Sequence, residues 1–166
     1  NVEEARERIM EASEAFYKEG KVKDYKRVLL FLAAAERRKG NLAHTGRFLR
    51  QVENPPEKIW GRTAARICAE QVKYACCLHQ TDRAKHFLEE WTLRGVGFEE
   101  YPFLHAAEQI LLRHETEYST LRLAEMEDGF LLQNWILAER LTSSYHEADF
   151  SGVLSEAQQI IRNSKY

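Results

Sequence analysis

Apolar residues recur along most of this chain at the three- and four-residue spacing of an α-helix. No segment alternates apolar and polar residues over the length of a strand, so the sequence predicts an all-α protein. The pattern is interrupted at Gly20, Gly40, the Asn54-Pro55-Pro56 segment and the turn at 95–97. These breaks predict about eight antiparallel helices stacked as helical hairpins, in an α-solenoid or an irregular bundle.

The positions of turn and capping residues predict the individual helices. We expect the first over 2–19, the fourth over 56–78, the sixth over 102–114 and the seventh over 119–145. Gly129 lies inside the seventh as a kink or a close-packing point. The remaining helices are predicted to be capped at their N-termini by Asp24, Asn41, Asp82 and Asp149.

The second helix is apolar on nearly all sides as far as Glu36, which predicts that it is the most buried. Four residues on strongly apolar stretches are predicted to lie in the core: Phe31, Leu32, Ile67 and Trp135.

With 166 residues, 44% of them hydrophobic, the chain is long enough for one helical domain over 1–166, with a possible sub-boundary at 53–56. Because it begins at Asn1, we expect it to be a fragment of a longer protein. No apolar run reaches the length of a membrane span. Three cysteines, two of them adjacent, make a poor disulfide framework and predict an intracellular location, cytoplasmic or nuclear.

The sequence contains no motif typical of an enzyme, so we predict a non-enzymatic protein without catalytic residues or cofactors. It has no glycine-rich phosphate loop and no glycine-flanked nucleophile. Cys68, Cys76 and Cys77 lie near His79, but their positions within one helix are unlike the paired ligands of zinc sites. We interpret them as core residues and predict no metal site.

Charge is distributed unevenly along the chain. Residues 36–66 carry eight Lys/Arg and three Asp/Glu, a net charge of +5, whereas residues 95–166 carry five and twelve, a net charge of −7. The cations predicted to form a partner-binding surface are Arg37, Arg38, Lys39, Arg47, Arg50, Arg62 and Arg66. Helix-end electrostatics could account for the first three, and the whole cluster could instead pair with the acidic C-terminal part of the chain.

Three stretches repeat an arrangement of helix, short turn, aspartate and helix. Apolar residues eight before and five after Asp24, Asp82 and Asp149 would pack across each turn. The stretch 15–35, with Tyr17 and Gly20, resembles a degenerate tetratricopeptide repeat, and 64–93 and 135–161 resemble it less closely. The resemblance implies stacked hairpins and protein binding.

We therefore predict a protein-interaction or assembly module, a scaffold whose partner is a protein or peptide, with an acidic partner as one option. Residues 87–96 resemble the second helix and turn of a pentatricopeptide repeat, so an RNA-binding domain using 36–66 is the first alternative. A helical-bundle enzyme and a homo-oligomeric structural protein are further alternatives.

Overall fold

A computed structural model of the chain describes residues 2–53, 61–114 and 120–147, together with the isolated positions 152, 155 and 158. These residues form eight α-helices and no strand, which confirms the all-α prediction. The helices are α1 (Val2–Lys18), α2 (Val22–Arg38), α3 (Leu42–Glu53), α4 (Arg62–Cys77), α5 (Thr81–Leu93), α6 (Pro102–Ala107), α7 (Thr120–Ala124) and α8 (Phe130–Glu147). The predicted break at 54–56 and the predicted cap Asp149 lie outside the described residues.

Short turns connect successive helices, and four helices end in the same way. At Gly20, Gly40, His79 and Gly95 the backbone enters the left-handed region, with φ of 69°, 81°, 55° and 82°. The next residue then donates its N–H to a carbonyl in the last helical turn, as Lys21 does to Phe16 at 2.9 Å. This arrangement closes the helix end and reverses the chain, so α1, α2 and α3 lie beside one another in order, as do α4 and α5.

The predicted N-caps Asp24 and Asp82 are wrong, because α2 and α5 begin earlier. Lys21 and Gln80 occupy the cap positions, and neither helix has a side-chain cap hydrogen bond. Both aspartates lie in the first helical turn instead, where the helix dipole favours a negative charge.

The structure differs from the prediction in both the sixth and the seventh helix. After Ala107 the helix widens into a π-helical segment, Glu108–Leu112, which ends where Arg113 N donates to the Glu108 carbonyl at 3.2 Å. The predicted continuous helix over 119–145 is wrong: residues 125–129 form a turn that separates α7 from α8. Gly129 therefore marks a helix boundary rather than a kink, and the alternative of a close-packing point is confirmed, because its backbone lies against the Leu123 carbonyl with no room for a Cβ.

The apolar core runs through α2–α6 and the π-helical segment, and continues into α7 and α8. Leu32 and Ile67 are 3% and 1% exposed, which confirms two of the four predicted core residues. Trp135 is only partly buried; it packs against the core while its indole N–H donates to Thr81 Oγ1 at 3.2 Å. Within the described part of the chain, no helix combines the length and the apolarity needed to cross a membrane.

Candidate functional site

The seven cations of the predicted basic surface are not equivalent. Arg47, Arg50, Arg62 and Arg66 are exposed and pair with no carboxylate of the described residues, and Lys39 is exposed as well. Arg37 is buried in an internal ion cluster, so its assignment to an exposed surface is wrong. Arg38 is half-exposed and forms an ion pair with Glu127.

The internal ion cluster joins α2, α4 and the turn before α8. It consists of Arg37, Glu70, Lys73 and Asp128, whose side chains are 2%, 12%, 10% and 7% exposed. Arg37 donates to both oxygens of Asp128, at 2.8 and 3.4 Å, and through Nε to Glu70 Oε2 at 3.1 Å. Lys73 Nζ lies 2.8 Å from Asp128 Oδ2 and 3.5 Å from Glu70 Oε1. Two cations thus balance two carboxylates, the condition under which buried charge is tolerated.

This pairing shifts the titration of the buried groups. Burial alone would raise the pKa of Asp128, but hydrogen bonds from Arg37 and Lys73 lower that pKa below its usual value of 3.8. Burial alone would lower the pKa of Arg37, yet the bonds to Asp128 and Glu70 raise it overall. Asp128 and Arg37 are therefore both charged at neutral pH.

The turn that presents Asp128 has a constrained backbone. Asp128 has a φ of 61°, a left-handed conformation that aspartate tolerates better than most residues. Gly129 follows it, and a Cβ at this position would collide with the carbonyl oxygen of Leu123. The turn therefore requires glycine at position 129, and it is this turn that separates α7 from α8.

We expect Gly129→Ala to destabilise the protein by at least about 1–3 kcal/mol, because backbone rather than a flexible side chain must move. Chemical denaturation of the variant measures the loss. Gly97→Ala is the matched control, since its new methyl group would meet only the end of the Glu99 side chain, which can rotate away. Equal stability of the two variants would show that the 125–129 turn adapts to a side chain.

An apolar groove lies beside the ion cluster, between α2 and α4. We call it the Phe31 groove: it encloses about 290 Å³ and is lined by Arg27, Leu30, Phe31, Ala34, Arg38, Arg66, Ala69, Glu70, Lys73 and Glu127. Phe31 is 61% exposed, so its assignment to the core is wrong. Because α2 is apolar on more sides than its neighbours cover, one large aromatic side chain is left facing solvent.

The charges around the Phe31 groove are predominantly positive. Four of its lining residues are cations and two are carboxylates. Arg38 is paired with Glu127, and Lys73 belongs to the ion cluster, so the excess positive charge comes from Arg27 and Arg66. Arg27 has only a loose, exposed contact of 3.5 Å with Asp24. Arg66 and Arg38 are the members of the predicted basic surface that belong to the groove, whereas Arg47, Arg50 and Arg62 do not line it.

Described residues also line two other open pockets. One, of about 290 Å³, lies between α3, α4 and α5, where Trp91 Nε1 donates to Gln71 Oε1 at 2.7 Å and Gln71 Nε2 donates to Glu53 Oε1 at 2.6 Å. The other, of about 490 Å³, lies beside Phe103 and Met126. In the first, Trp91, Gln71 and Glu53 are bonded to one another and Arg94 pairs with Glu90, so most of its polar groups are already engaged.

The cysteines occupy positions in or next to the core. Cys68 is fully buried, and Cys76 and Cys77 are partly buried. Burial raises the pKa of Cys76 to about 12, and it also raises the pKa of Cys68 and, against the opposing effect of Arg37, that of Cys77. Protonated thiols are poor nucleophiles. Among the described residues, no group of three or more His, Cys, Asp or Glu side chains is placed to hold a metal ion.

Comparison with known proteins gives no relative: no family model, no curated protein and no solved structure matches the chain significantly. The resemblance to tetratricopeptide repeats therefore stays a prediction.

Proposed function

We propose that the chain is a non-enzymatic protein-interaction module that binds an acidic, partly apolar segment of a partner protein in the Phe31 groove. The observation that carries this proposal is the 61% exposure of Phe31 in a groove with a cationic rim. An aromatic side chain in such a position gains from being covered, and aromatic residues are frequent among those that dominate binding energy.

Charge complementarity indicates the chemistry of the partner. The arginines Arg27, Arg38 and Arg66 line the groove around an apolar floor that includes Leu30, Ala34 and Ala69. An amphipathic helix or extended peptide that places an apolar side chain on Phe31 would bring its own carboxylates to these arginines. An intracellular location accords with this proposal, since the three cysteines are unpaired thiols.

A peptide selection tests the proposal while the partner is still unidentified. A random peptide library displayed on phage is selected on the wild-type chain and counter-selected on Phe31→Ser. We expect the recovered peptides to contain an apolar residue flanked by Asp or Glu. Their affinity should fall at least about 30-fold on Phe31→Ser, the loss of a residue that dominates an interface.

Two control variants separate the groove from the rest of the surface. Phe130 is 49% exposed and does not line the groove, so Phe130→Ser should leave the affinity unchanged. Arg66→Gln should weaken binding by up to about five-fold, and less at high salt, whereas Arg47→Gln should not. A selection that yields no peptide dependent on Phe31 would contradict the proposal.

RNA binding is distinguished by Phe31→Ser together with one further variant, the charge reversal of Arg47 and Arg50. Arg47, Arg50 and Arg62 are exposed without a carboxylate partner among the described residues, and an RNA would engage them through its phosphates. If a fluorescent single-stranded RNA bound the chain tightly, lost its affinity on charge reversal of Arg47 and Arg50, and were unaffected by Phe31→Ser, the RNA-binding alternative would replace our proposal.

A further inference from the structure

We infer that Arg38 is a carboxylate-binding position that Glu127 fills in the free chain and that a Glu or Asp of the partner fills in the complex. The inference rests on the proposed function and specifies how the partner's charge is recognised. It also assigns Glu127 a regulatory role, as an internal competitor for the partner. In the free chain the carboxylate of Glu127 already pairs with Arg38, and both residues line the groove. This pair shows which kind of group Arg38 binds.

The ion cluster explains why Glu127 lies at the groove. Asp128 is bound through both carboxylate oxygens by Arg37 and is also paired with Lys73, which fixes the 125–129 turn against α2 and α4. Glu127 immediately precedes Asp128 in this turn, so formation of the ion cluster also places the Glu127 carboxylate at the groove. Its effective concentration there is high, because the turn needs no further ordering to place it.

The Arg38–Glu127 pair can nevertheless be exchanged. The side chains of Arg38 and Glu127 are 53% and 74% exposed, unlike the buried groups of the cluster. Exposed pairs of this kind contribute little to stability, so a partner carboxylate can replace Glu127 at a small cost. Asp128 Oδ2 lies 3.9 Å from Arg38 Nη2 and supports the guanidinium when Glu127 leaves.

A partner carboxylate bound to Arg38 therefore adds to the apolar contact at Phe31. The partner segment is thus expected to carry an acidic residue near an apolar one. Neutralising the competitor should tighten binding, and the gain should require both the partner carboxylate and Arg38. The expected gain from Glu127→Gln is about two- to five-fold in affinity, since it removes one exposed ion pair from competition.

The experiment measures dissociation constants by fluorescence anisotropy for the peptides recovered on wild-type protein. Each peptide is used as selected and with its acidic residues replaced one at a time by the neutral amides. We expect Glu127→Gln to lower the dissociation constant of the selected peptide. For one of the amide-substituted peptides, the one that has lost the carboxylate bound by Arg38, the dissociation constant should be the same on both proteins. Arg38→Gln should weaken the selected peptide and abolish the gain from Glu127→Gln.

Glu125→Gln is the matched control, since Glu125 lies in the same turn, is exposed and does not line the groove. An equal gain from Glu125→Gln would show a long-range effect of charge and overturn the inference. If peptide binding depends on Phe31 but is unaffected by Glu127→Gln, the inference fails while the proposed function stands. If no recovered peptide depends on Phe31, both fail.

Discussion

Asp128→Asn is expected to lower the free energy of unfolding by about 3–5 kcal/mol, the usual cost of removing one partner from a buried ion pair. The substitution leaves Arg37 and Lys73 facing only Glu70, with the Arg37 side chain 2% exposed. Asparagine is chosen because it tolerates the left-handed backbone at this position, where φ is 61°. Urea unfolding at neutral pH measures the difference from the wild-type protein.

The same carboxylate predicts how stability depends on pH. Its folded-state pKa is lowered below 3.8, so its contribution is present above that value and is lost as the pH falls through the folded-state pKa. Wild-type stability should therefore decline below about pH 4, and the gap to Asp128→Asn should narrow there. A gap that is constant from neutral to acid pH would show that the charge of Asp128 is not what stabilises the turn.

Glu127→Gln is the control for this prediction, because Glu127 is adjacent, also acidic and 74% exposed. Its ion pair with Arg38 should contribute only about 0–1 kcal/mol. A loss as large as that of Asp128→Asn would mean that the exposed pair, rather than the buried cluster, holds the turn.

Leu32→Ala should cost about 2–5 kcal/mol, whereas Phe31→Ala on the preceding residue should change stability by no more than about 0.5 kcal/mol. Leu32 is 3% exposed, and its truncation opens a cavity in the core. Phe31 is 61% exposed, so its removal takes away little that folding has buried. Both variants alter one helix at adjacent positions, and the difference in helix propensity between leucine and phenylalanine is small beside the expected contrast.

Thermal or urea unfolding of the two variants checks the contrast. If Phe31→Ala lowered the free energy of unfolding as much as Leu32→Ala, Phe31 would have to be a core residue, and the proposal of the Phe31 groove would lose its basis.

The periodicity of the sequence predicted the helical class and the glycine-terminated turns because both depend on local contacts. It could not predict which side of α2 is covered, since its apolar residues extend around more of the helix than the neighbouring helices bury. Phe31 and Leu32 are both strongly apolar in the sequence, and only the packing of the neighbouring helices distinguishes them.

The ion cluster could not be predicted from local sequence patterns for a similar reason. Glu70 and Lys73 are three residues apart on α4 and resemble an ordinary exposed helical pair. Their burial depends on a turn much later in the sequence. The opposite charges of 36–66 and 95–166 did indicate the alternative of internal pairing, which the structure realises for Arg37 with Asp128 and Arg38 with Glu127. Arg47, Arg50, Arg62 and Arg66 pair with no carboxylate among the described residues, so internal pairing does not account for them there.

The ion cluster also determines how the protein can be divided for study. Arg37 and Asp128 are 91 positions apart, so the bond between them ties the 125–129 turn to α2. A shortened version that ends after the π-helical segment would retain both cations of the cluster and only one of its carboxylates. Such a piece would carry an uncompensated positive charge between α2 and α4, and peptide-binding assays on this protein therefore require the 125–129 turn.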